Sequence, residues 1–187
     1  VVPCYNEEPV LQETTARLSA VLDSLIEKQK ISSDSFILYV NDGSRDKTWT
    51  LIMSLHEGNP YVKGLNLAGN VGHQNALMAG LMVAKEYADI LVSIDADLQD
   101  DVSVIEEMVD RYKEGYDIVY GVRSSRDSDT FFKKNTALAF YKLMSWLGVK
   151  SVYNHADYRL MSRRAVEQLE NYKERNLFLR GIVPLIG

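Results

Sequence analysis

The sequence predicts an α/β fold in which a mostly parallel sheet is flanked by helices on both faces, and three patterns support this expectation. Short apolar runs, typical of buried strands, alternate with longer segments whose apolar residues recur three or four positions apart, as on one face of a helix. Polar turns separate the two kinds of segment. Strands that alternate with helices in this way form βαβ units, whose strands run parallel.

The elements follow one another at regular intervals. The opening residues 1–3 are typical of a strand entered partway, and 10–26 has the apolar spacing of a helix. A polar turn at 32–35 precedes an apolar strand at 36–40. The alternation then continues with a helix over 48–56, a strand over 62–67, a helix over 72–87, a strand over 90–94, a helix over 102–112 and a strand over 118–120.

After residue 121 the pattern changes. The segment 131–147 predicts an aromatic-rich amphipathic helix that also carries Lys133, Lys134 and Lys142. Such a helix either covers a protein core or lies in a membrane interface with its lysines among the headgroups. The sequence leaves both interpretations open.

Charge is divided unevenly along the chain. Residues 1–122 contain 9 Lys and Arg against 20 Asp and Glu, a net charge of −11, whereas residues 123–187 contain 12 against 6, a net charge of +6. The acidic part suits a divalent cation and the basic part suits phosphates or an anionic membrane face. An unevenly charged, solvated surface is the alternative.

Length and composition fit one domain. The chain has 187 residues, 46% hydrophobic and 25% charged, which is enough to bury a substantial core. The lone Cys4 excludes an intrachain disulfide and favours a reducing compartment. The first residues predict no signal peptide, and the chain ends inside the apolar run 181–187, so we expect transmembrane segments beyond it.

The strongest chemical signal is the acidic run 95–101 (DADLQDD), directly after the predicted strand 90–94. Asp95 and Asp97 concentrate negative charge where a strand ends. A hard divalent cation offsets that repulsion by taking oxygen ligands, with substrate phosphates completing its shell. In the alternative interpretation, Asp100 and Asp101 stabilise the start of the next helix.

Two other polar segments follow predicted strands. In 41–48 (NDGSRDKT), Asp42 has a carboxylate to accept a hydrogen bond from a base, and Gly43 permits close backbone approach. In 3–8 (PCYNEE), an aromatic ring suits a base and a carboxylate suits ribose hydroxyls. A capped turn before the next helix is the plainer explanation of 41–48. Ligands of such sheets bind at the carboxyl ends of the strands, where all three segments fall.

Taken in order, the segments 3–7 (PCYNE), 41–44 (NDGS), 70–72 (NVG) with Ala76 and Gly80, and 95–100 (DADLQD) resemble those of the family 2 glycosyltransferases, which have the GT-A fold. The resemblance covers essentially the whole chain. It is strongest to the polyprenyl-phosphate branch, which includes dolichol-phosphate mannose synthases and bacterial lipid-phosphate glucosyltransferases. The late segments 157–163 (DYRLMSR) and 175–181 (RNLFLRG) match that branch. Asn41 and Val102 depart from it, where Asp and Pro are usual.

The resemblance implies roles for particular residues. The implied metal, Mg²⁺ or Mn²⁺, has as its ligands Asp95, Asp97 and Gln99. Donor binding is implied for Pro3, Tyr5, Glu7, Asp42, Asp95 and Gln99. The implied catalytic residues are Asp97 and Asp157, the second facing the acceptor. Phosphate or acceptor binding is implied for Arg123, Arg126, Arg159, Arg175 and Arg180.

The implied reaction is an inverting transfer of a hexose from a nucleotide-diphosphate sugar, with UDP favoured, to a polyprenyl phosphate. We expect one catalytic domain over 1–187, in which 1–122 binds the nucleotide sugar and metal and 123–187 lies on the acceptor side at the cytoplasmic face of the cell membrane. No nucleic-acid partner is expected, and a homo-oligomer is left open. His73 has no evident carboxylate partner in sequence, so it is interpreted as structural or substrate-lining.

Three alternative functions share parts of this pattern. A glycosyltransferase acting on a cell-surface polysaccharide or glycoprotein would use the same donor site, with Asp157 or another carboxylate as base. A sugar-nucleotidyltransferase also joins an α/β sheet to metal-binding aspartates, but that chemistry tends to use an early Gly-rich phosphate loop, which this sequence lacks. A non-catalytic module would bind nucleotide sugars without turnover; the intact Asp95 and Asp97 favour catalysis.

Overall fold

The chain alternates strands and helices. The computed structural model describes residues 1–97, 99–122, 155–172 and 179–186. In chain order its first elements are β1 (Val2–Cys4), α1 (Leu11–Glu27), β2 (Ile37–Asn41), α2 (Thr48–Gly58), β3 (Val62–Asn66), α3 (His73–Ala84) and β4 (Ile90–Ser93). The later elements are α4 (Val104–Lys113), β5 (Ile118–Val122), β6 (His155–Ser162), α5 (Arg163–Leu169) and α6 (Leu179–Ile186).

The strands of the described residues form two ladders that meet edge to edge. β1, β2 and β3 pair in parallel, while β6 pairs antiparallel with both β4 and β5. The Val1 nitrogen donates to the Val92 carbonyl at 2.7 Å and the Ile94 nitrogen donates to the Val1 carbonyl at 3.2 Å, which is a parallel pattern that joins β1 to β4. The order is therefore β3-β2-β1-β4-β6-β5, and the predicted mostly parallel sheet is confirmed.

Helices cover both faces of the sheet, as predicted. Consecutive residues of β2 point to opposite faces, so Tyr39 packs with one set of helices and Leu38 and Val40 with the other. The first face is covered by α1, α2 and α4, which bury Leu11, Leu18, Leu25, Ile52 and Met108. The second is covered by α3, α5 and α6, which bury Leu77, Leu81, Val166, Leu169 and Val183. Burial of each such side chain stabilises the fold by about 1.5–3 kcal/mol. The packed sheet therefore holds the loops at its carboxyl edge in fixed positions.

A close approach of α3 to the sheet depends on Gly80. A Cβ atom at this position would lie 2.5 Å from Val1 Cγ1 and 2.6 Å from Val40 Cγ2. Because only a residue without a side chain fits, α3 sits directly on β1 and β2. Its first residue, His73, is thereby brought to the carboxyl edge of the sheet.

Some features differ from the sequence-based expectation. Residues 155–162 were not expected to form a strand, yet β6 lies between β4 and β5. The helix expected to start at Val102 starts at Val104, because Asp101 occupies a turn before it: Asp101 Oδ1 accepts from the Ser103 nitrogen at 2.9 Å and its carbonyl accepts from the Val104 nitrogen at 3.2 Å. The predicted helix over 131–147 lies outside the described residues. No helix within the described ranges is long and apolar enough to cross a membrane.

Candidate active site at the carboxyl edge of the sheet

The loops that follow β1 and β2 are tied to each other. The Asn6 nitrogen donates to Ser44 Oγ at 3.0 Å, and Asn6 Oδ1 accepts from the Arg45 nitrogen at 2.8 Å. Next to them, the Glu7 nitrogen donates to Thr48 Oγ1 at 2.8 Å. These bonds hold the two sequence motifs side by side, and they leave the ring of Tyr5 41% exposed. Pro3 is buried within β1, beneath this surface.

Asp42 has a structural role that the sequence did not predict. Its Oδ1 accepts from the Val71 nitrogen at 2.7 Å and its Oδ2 accepts from the Gly72 nitrogen at 3.0 Å. The side chain is 2% exposed. Asp42 therefore fixes the loop that leads into α3, and its predicted contact with a nucleotide base stays a prediction.

Packing explains why Asn41 stands where Asp is usual in the second motif. Asn41 Nδ2 donates to Asn66 Oδ1 at 2.7 Å, and the two residues are register partners in β2 and β3. Asn41 Oδ1 also accepts from the Ser44 nitrogen at 3.3 Å. An amide supplies both the donor and the acceptor, whereas an ionised carboxylate supplies acceptors alone. The side chain is 3% exposed, so it shapes the turn from inside the protein.

Replacing Gly43 by alanine is expected to lower the free energy of unfolding by about 2 kcal/mol and to displace the loop before α3. Gly43 has φ +63°, and a Cβ there would lie 2.6 Å from the Asn70 nitrogen and 2.7 Å from the Gly69 carbonyl carbon. Thermal unfolding should show a Tm lowered by about 4 to 8 °C. Gly69→Ala is the matched control, because nothing lies within 4 Å of a Cβ at that position. Equal Tm values for the two variants would contradict the expectation.

The acidic loop after β4 is held by its backbone. Thr14 Oγ1, in α1, donates to the Ala96 carbonyl at 2.7 Å, and Tyr158 Oη donates to the Asp101 carbonyl at 2.9 Å. These two bonds fix the loop through its backbone carbonyls, one near each end. Asp97 is exposed, and its Oδ1 accepts from the nitrogen of the exposed Gln99 at 3.2 Å.

The electrostatics of this loop fit a cation. Burial, together with Asp157 and Asp97, raises the pKa of Asp95, although His73 opposes the shift. Burial and the charges of Asp97 and Asp95 also raise the pKa of Glu7. Asp95 Oδ1 is buried and has no hydrogen-bond partner among the described residues; His73 Nε2 is 3.6 Å away. A divalent ion would supply the positive charge that these carboxylates lack.

The described residues do not enclose such an ion by themselves. In the ranges that the structure describes, no three His, Cys, Asp or Glu side chains are arranged to hold a metal. Asp95, Asp97 and Gln99 stay the predicted ligands.

Asp157 reaches the same edge of the sheet from β6. It is 2% exposed, and its Oδ1 accepts from Arg159 Nη2 at 2.5 Å. Ser93, in β4, donates its hydroxyl to the Asp157 carbonyl. Arg159 is 1% exposed, so it lies inside the protein rather than on a surface that meets phosphate. It forms an ion pair with Asp157, and the acceptor contact that the resemblance implies stays a prediction.

His73 and Gln74, at the start of α3, both contact Asp157. His73 Nε2 lies 3.2 Å from Asp157 Oδ2, and Gln74 Nε2 donates to the same oxygen at 3.0 Å. The absence of a carboxylate partner for His73 in the sequence was misleading, because its two acidic neighbours, Asp95 and Asp157, come from β4 and β6. The insertion of β6 beside β4 brings Asp157 to the start of α3, where Asp95 also lies.

The structure brings most of the predicted residues to one edge. Those found there are Tyr5, Glu7, Asp42, Asp95, Asp97, Gln99 and Asp157. The predicted phosphate contacts Arg123, Arg126 and Arg175 lie outside the described residues. Arg180 lies in α6, but its side chain is also outside the described part.

Comparison with known proteins decides the family. The sequence profile of glycosyl transferase family 2 matches residues 1–170. The chain belongs to this family. An uncharacterised glycosyltransferase of Bacillus subtilis, YkoT, is 60% identical to this family 2 domain over 187 residues, which are 100% of the chain and 56% of that protein. The bactoprenol glucosyl transferase of Shigella phage SfV is 37% identical over 191 residues, covering 100% of the chain and 59% of that protein.

Solved structures agree on the fold of the family 2 domain. Glucosyl-3-phosphoglycerate synthase from Mycobacterium tuberculosis, in complex with Mn²⁺, UDP and phosphoglyceric acid, superposes with a TM-score of 0.57 at 19% identity, over 88% of this chain and 55% of that one. This likeness confirms the GT-A fold. The chain spans a little over half the length of the two curated relatives.

Proposed function

We propose that this chain is the catalytic domain of an inverting, divalent-metal-dependent glycosyltransferase that moves a hexose from a UDP-sugar to a polyprenyl phosphate. The observation that carries the proposal is the meeting of Asp95 and Asp157 beside His73, where Asp95 keeps a buried oxygen without a hydrogen-bond partner among the described residues. Similarity to a bactoprenol glucosyl transferase supports the lipid acceptor. The UDP and Mn²⁺ bound to a structural neighbour support the donor and the metal.

The donor would lie across the tied loops after β1 and β2. The exposed ring of Tyr5 offers a face on which a base can stack. Glu7, whose pKa is raised by burial and by Asp97 and Asp95, would accept from ribose hydroxyls near the diphosphate. Asp42 also fixes the loop at 71–72, which leads into α3. A contact between Asp42 and the base would therefore link base binding to the position of α3.

Asp95, Asp97 and Gln99 would hold the Mg²⁺ or Mn²⁺ together with the diphosphate oxygens. When bound there, the ion supplies charge stabilisation to the departing diphosphate. The protein's own contribution is geometric. Thr14 and Tyr158 fix the loop backbone at its two ends, so the acidic side chains need little reorganisation on donor binding.

A phosphate acceptor reduces the need for a general base, because it already carries negative charge near neutral pH. One of its oxygens forms a bond to the anomeric carbon while the bond from that carbon to the diphosphate breaks on the opposite side, which inverts the configuration. No proton has to leave the attacking oxygen. Asp157 therefore orients the acceptor end of the site, with Arg159 and Gln74 holding its carboxylate.

The net charge of +6 over residues 123–187 supports an anionic acceptor at a membrane surface. Arginine makes bidentate contacts with phosphate, and we assign that role to Arg123, Arg126, Arg175 and Arg180. The polyprenyl phosphate would be met at the cytoplasmic face of the cell membrane, where nucleotide sugars are present.

Thermal unfolding with nucleotides tests the donor site. We expect UDP with Mn²⁺ or Mg²⁺ at 100 times Kd to add about 2.7 kcal/mol, raising the Tm by about 5 to 10 °C. The shift should require the metal and disappear in Asp97→Ala. GDP, CDP and ADP serve as comparisons: a larger shift with one of them would replace UDP, and no shift with any nucleotide in folded protein would contradict the donor site.

The acceptor is tested separately with the full-length protein. Labelled UDP-hexose should yield a glycolipid with polyprenyl phosphate and none with the matching polyprenol, which lacks the phosphate. Transfer to a polysaccharide or glycoprotein in place of the lipid would move the assignment to that class of acceptor. Donor binding without transfer to any acceptor would indicate a non-catalytic module.

A further inference from the structure

Gln74 connects two parts of the protein that are far apart in sequence. Its Nε2 donates to Asp157 Oδ2 at 3.0 Å, and its Oε1 accepts from the Leu179 nitrogen at 3.2 Å. The orientation of the amide follows from these partners, because an ionised carboxylate accepts and a backbone N–H donates. One side chain thus joins the carboxylate of β6 to the first residue of α6.

The contact at Leu179 gives a buried backbone N–H an acceptor. Leu179 is the first residue of α6 and is 1% exposed. The first N–H groups of a helix depend on acceptors from outside that helix when water does not reach them. Gln74 Oε1 therefore caps α6, while Leu179 and Val183 anchor the same helix in the core.

We propose that Gln74 is a positioning residue that holds the Asp157 carboxylate and couples it to the start of α6. The proposal rests on the proposed function in one respect, namely that Asp157 acts in transfer. The next residue of α6 is Arg180, a predicted phosphate contact, so an acceptor that moves the start of this helix also moves the partner of Asp157. The alignment of Asp157 then depends on acceptor engagement through Gln74.

Two substitutions separate the contacts of Gln74. Gln74→Glu keeps an acceptor for the Leu179 nitrogen and removes the donor to Asp157. Gln74→Met has nearly the same length and removes both. Gln168→Glu makes the same chemical change on the exposed surface of α5 and is the control.

In the full-length protein, both Gln74 variants should lower kcat for transfer about tenfold to a hundredfold, with the donor KM and the nucleotide-induced Tm shift unchanged. Hydrogen exchange at the Leu179 amide should accelerate in Gln74→Met and stay slow in Gln74→Glu. The Gln168→Glu variant should match the wild type in every measurement.

Wild-type kcat in Gln74→Glu would overturn the positioning role. A loss of donor binding that parallels the loss of kcat would also overturn it, because that pattern indicates a general disruption of the site. Unchanged exchange at Leu179 in Gln74→Met would overturn the coupling. If the wild-type protein transfers no sugar to polyprenyl phosphate, the proposed function fails, whereas the exchange measurement still decides whether Gln74 caps α6.

Discussion

Asparagine in place of Asp157 is expected to lower the free energy of unfolding by about 3 kcal/mol and to reduce transfer at least about a hundredfold. Asp157 is 2% exposed and is paired with Arg159, which is 1% exposed. Removing one charge of a buried pair is costly because the other charge stays buried. The Tm should fall by about 6 to 12 °C in thermal unfolding.

A double-mutant cycle separates stability from chemistry at this position. With Arg159→Met as the second change, the double variant should be less destabilised than the sum of the single variants, because no uncompensated charge is left in the core. Its transfer activity should stay low, since the carboxylate that we propose to orient the acceptor is missing. A double variant that regains both stability and transfer would show that Asp157 matters for folding alone.

Asp95→Asn is expected to reduce transfer about a thousandfold. An amide is a much weaker ligand than a carboxylate for the proposed divalent ion. Losing several kcal/mol of charge stabilisation in the transition state lowers the rate by that factor. The same change should raise the Tm of the metal-free protein at neutral pH by about 2 to 4 °C. Burial, with Asp157 and Asp97, raises the pKa of Asp95. The ionised carboxylate therefore destabilises the folded state.

The pH dependence of that stability difference has a definite sign. A carboxyl whose pKa is raised on folding destabilises the protein above its folded pKa, and this cost disappears as the pH falls toward the unfolded value. The advantage of Asp95→Asn should therefore be complete at neutral pH and shrink on acidification. Asp34→Asn, at an exposed position, serves as the control. A metal-free Asp95→Asn protein that is less stable than the wild type at pH 7 would contradict this account.

Much of the fold follows from local patterns in the sequence. Apolar runs and helical spacing predict the elements from β2 to β5 within a few residues, because their apolar residues recur at the spacing of a strand or a helix. The convergence of the motifs at 3–8, 41–48 and 95–101 then follows from parallel pairing, since the carboxyl ends of parallel strands share an edge. These elements are predictable because the apolar spacing that indicates each of them lies within its own segment.

The arrangement around Asp157 could not be predicted in the same way. Strand β6 buries Asp157 and Arg159 within the sheet, and these charges hide the apolar alternation that would indicate a strand. The partners of His73 come from two other strands, so no spacing along the chain indicates them. A signal was present in hindsight: an Asp and an Arg two positions apart, between apolar residues, are able to satisfy each other on one face of a strand.

The position of β6 has a consequence for the order in which this protein matures. Ser93 and Asp157 are 64 residues apart, yet they are hydrogen bonded in the finished sheet. A nascent chain released only as far as residue 122 would present β4 and β5 as open edges without the strand that belongs between them. The site around Asp157 is therefore completed only when residues 155–162 emerge and insert, and until then the unpaired edges of β4 and β5 are open to aggregation.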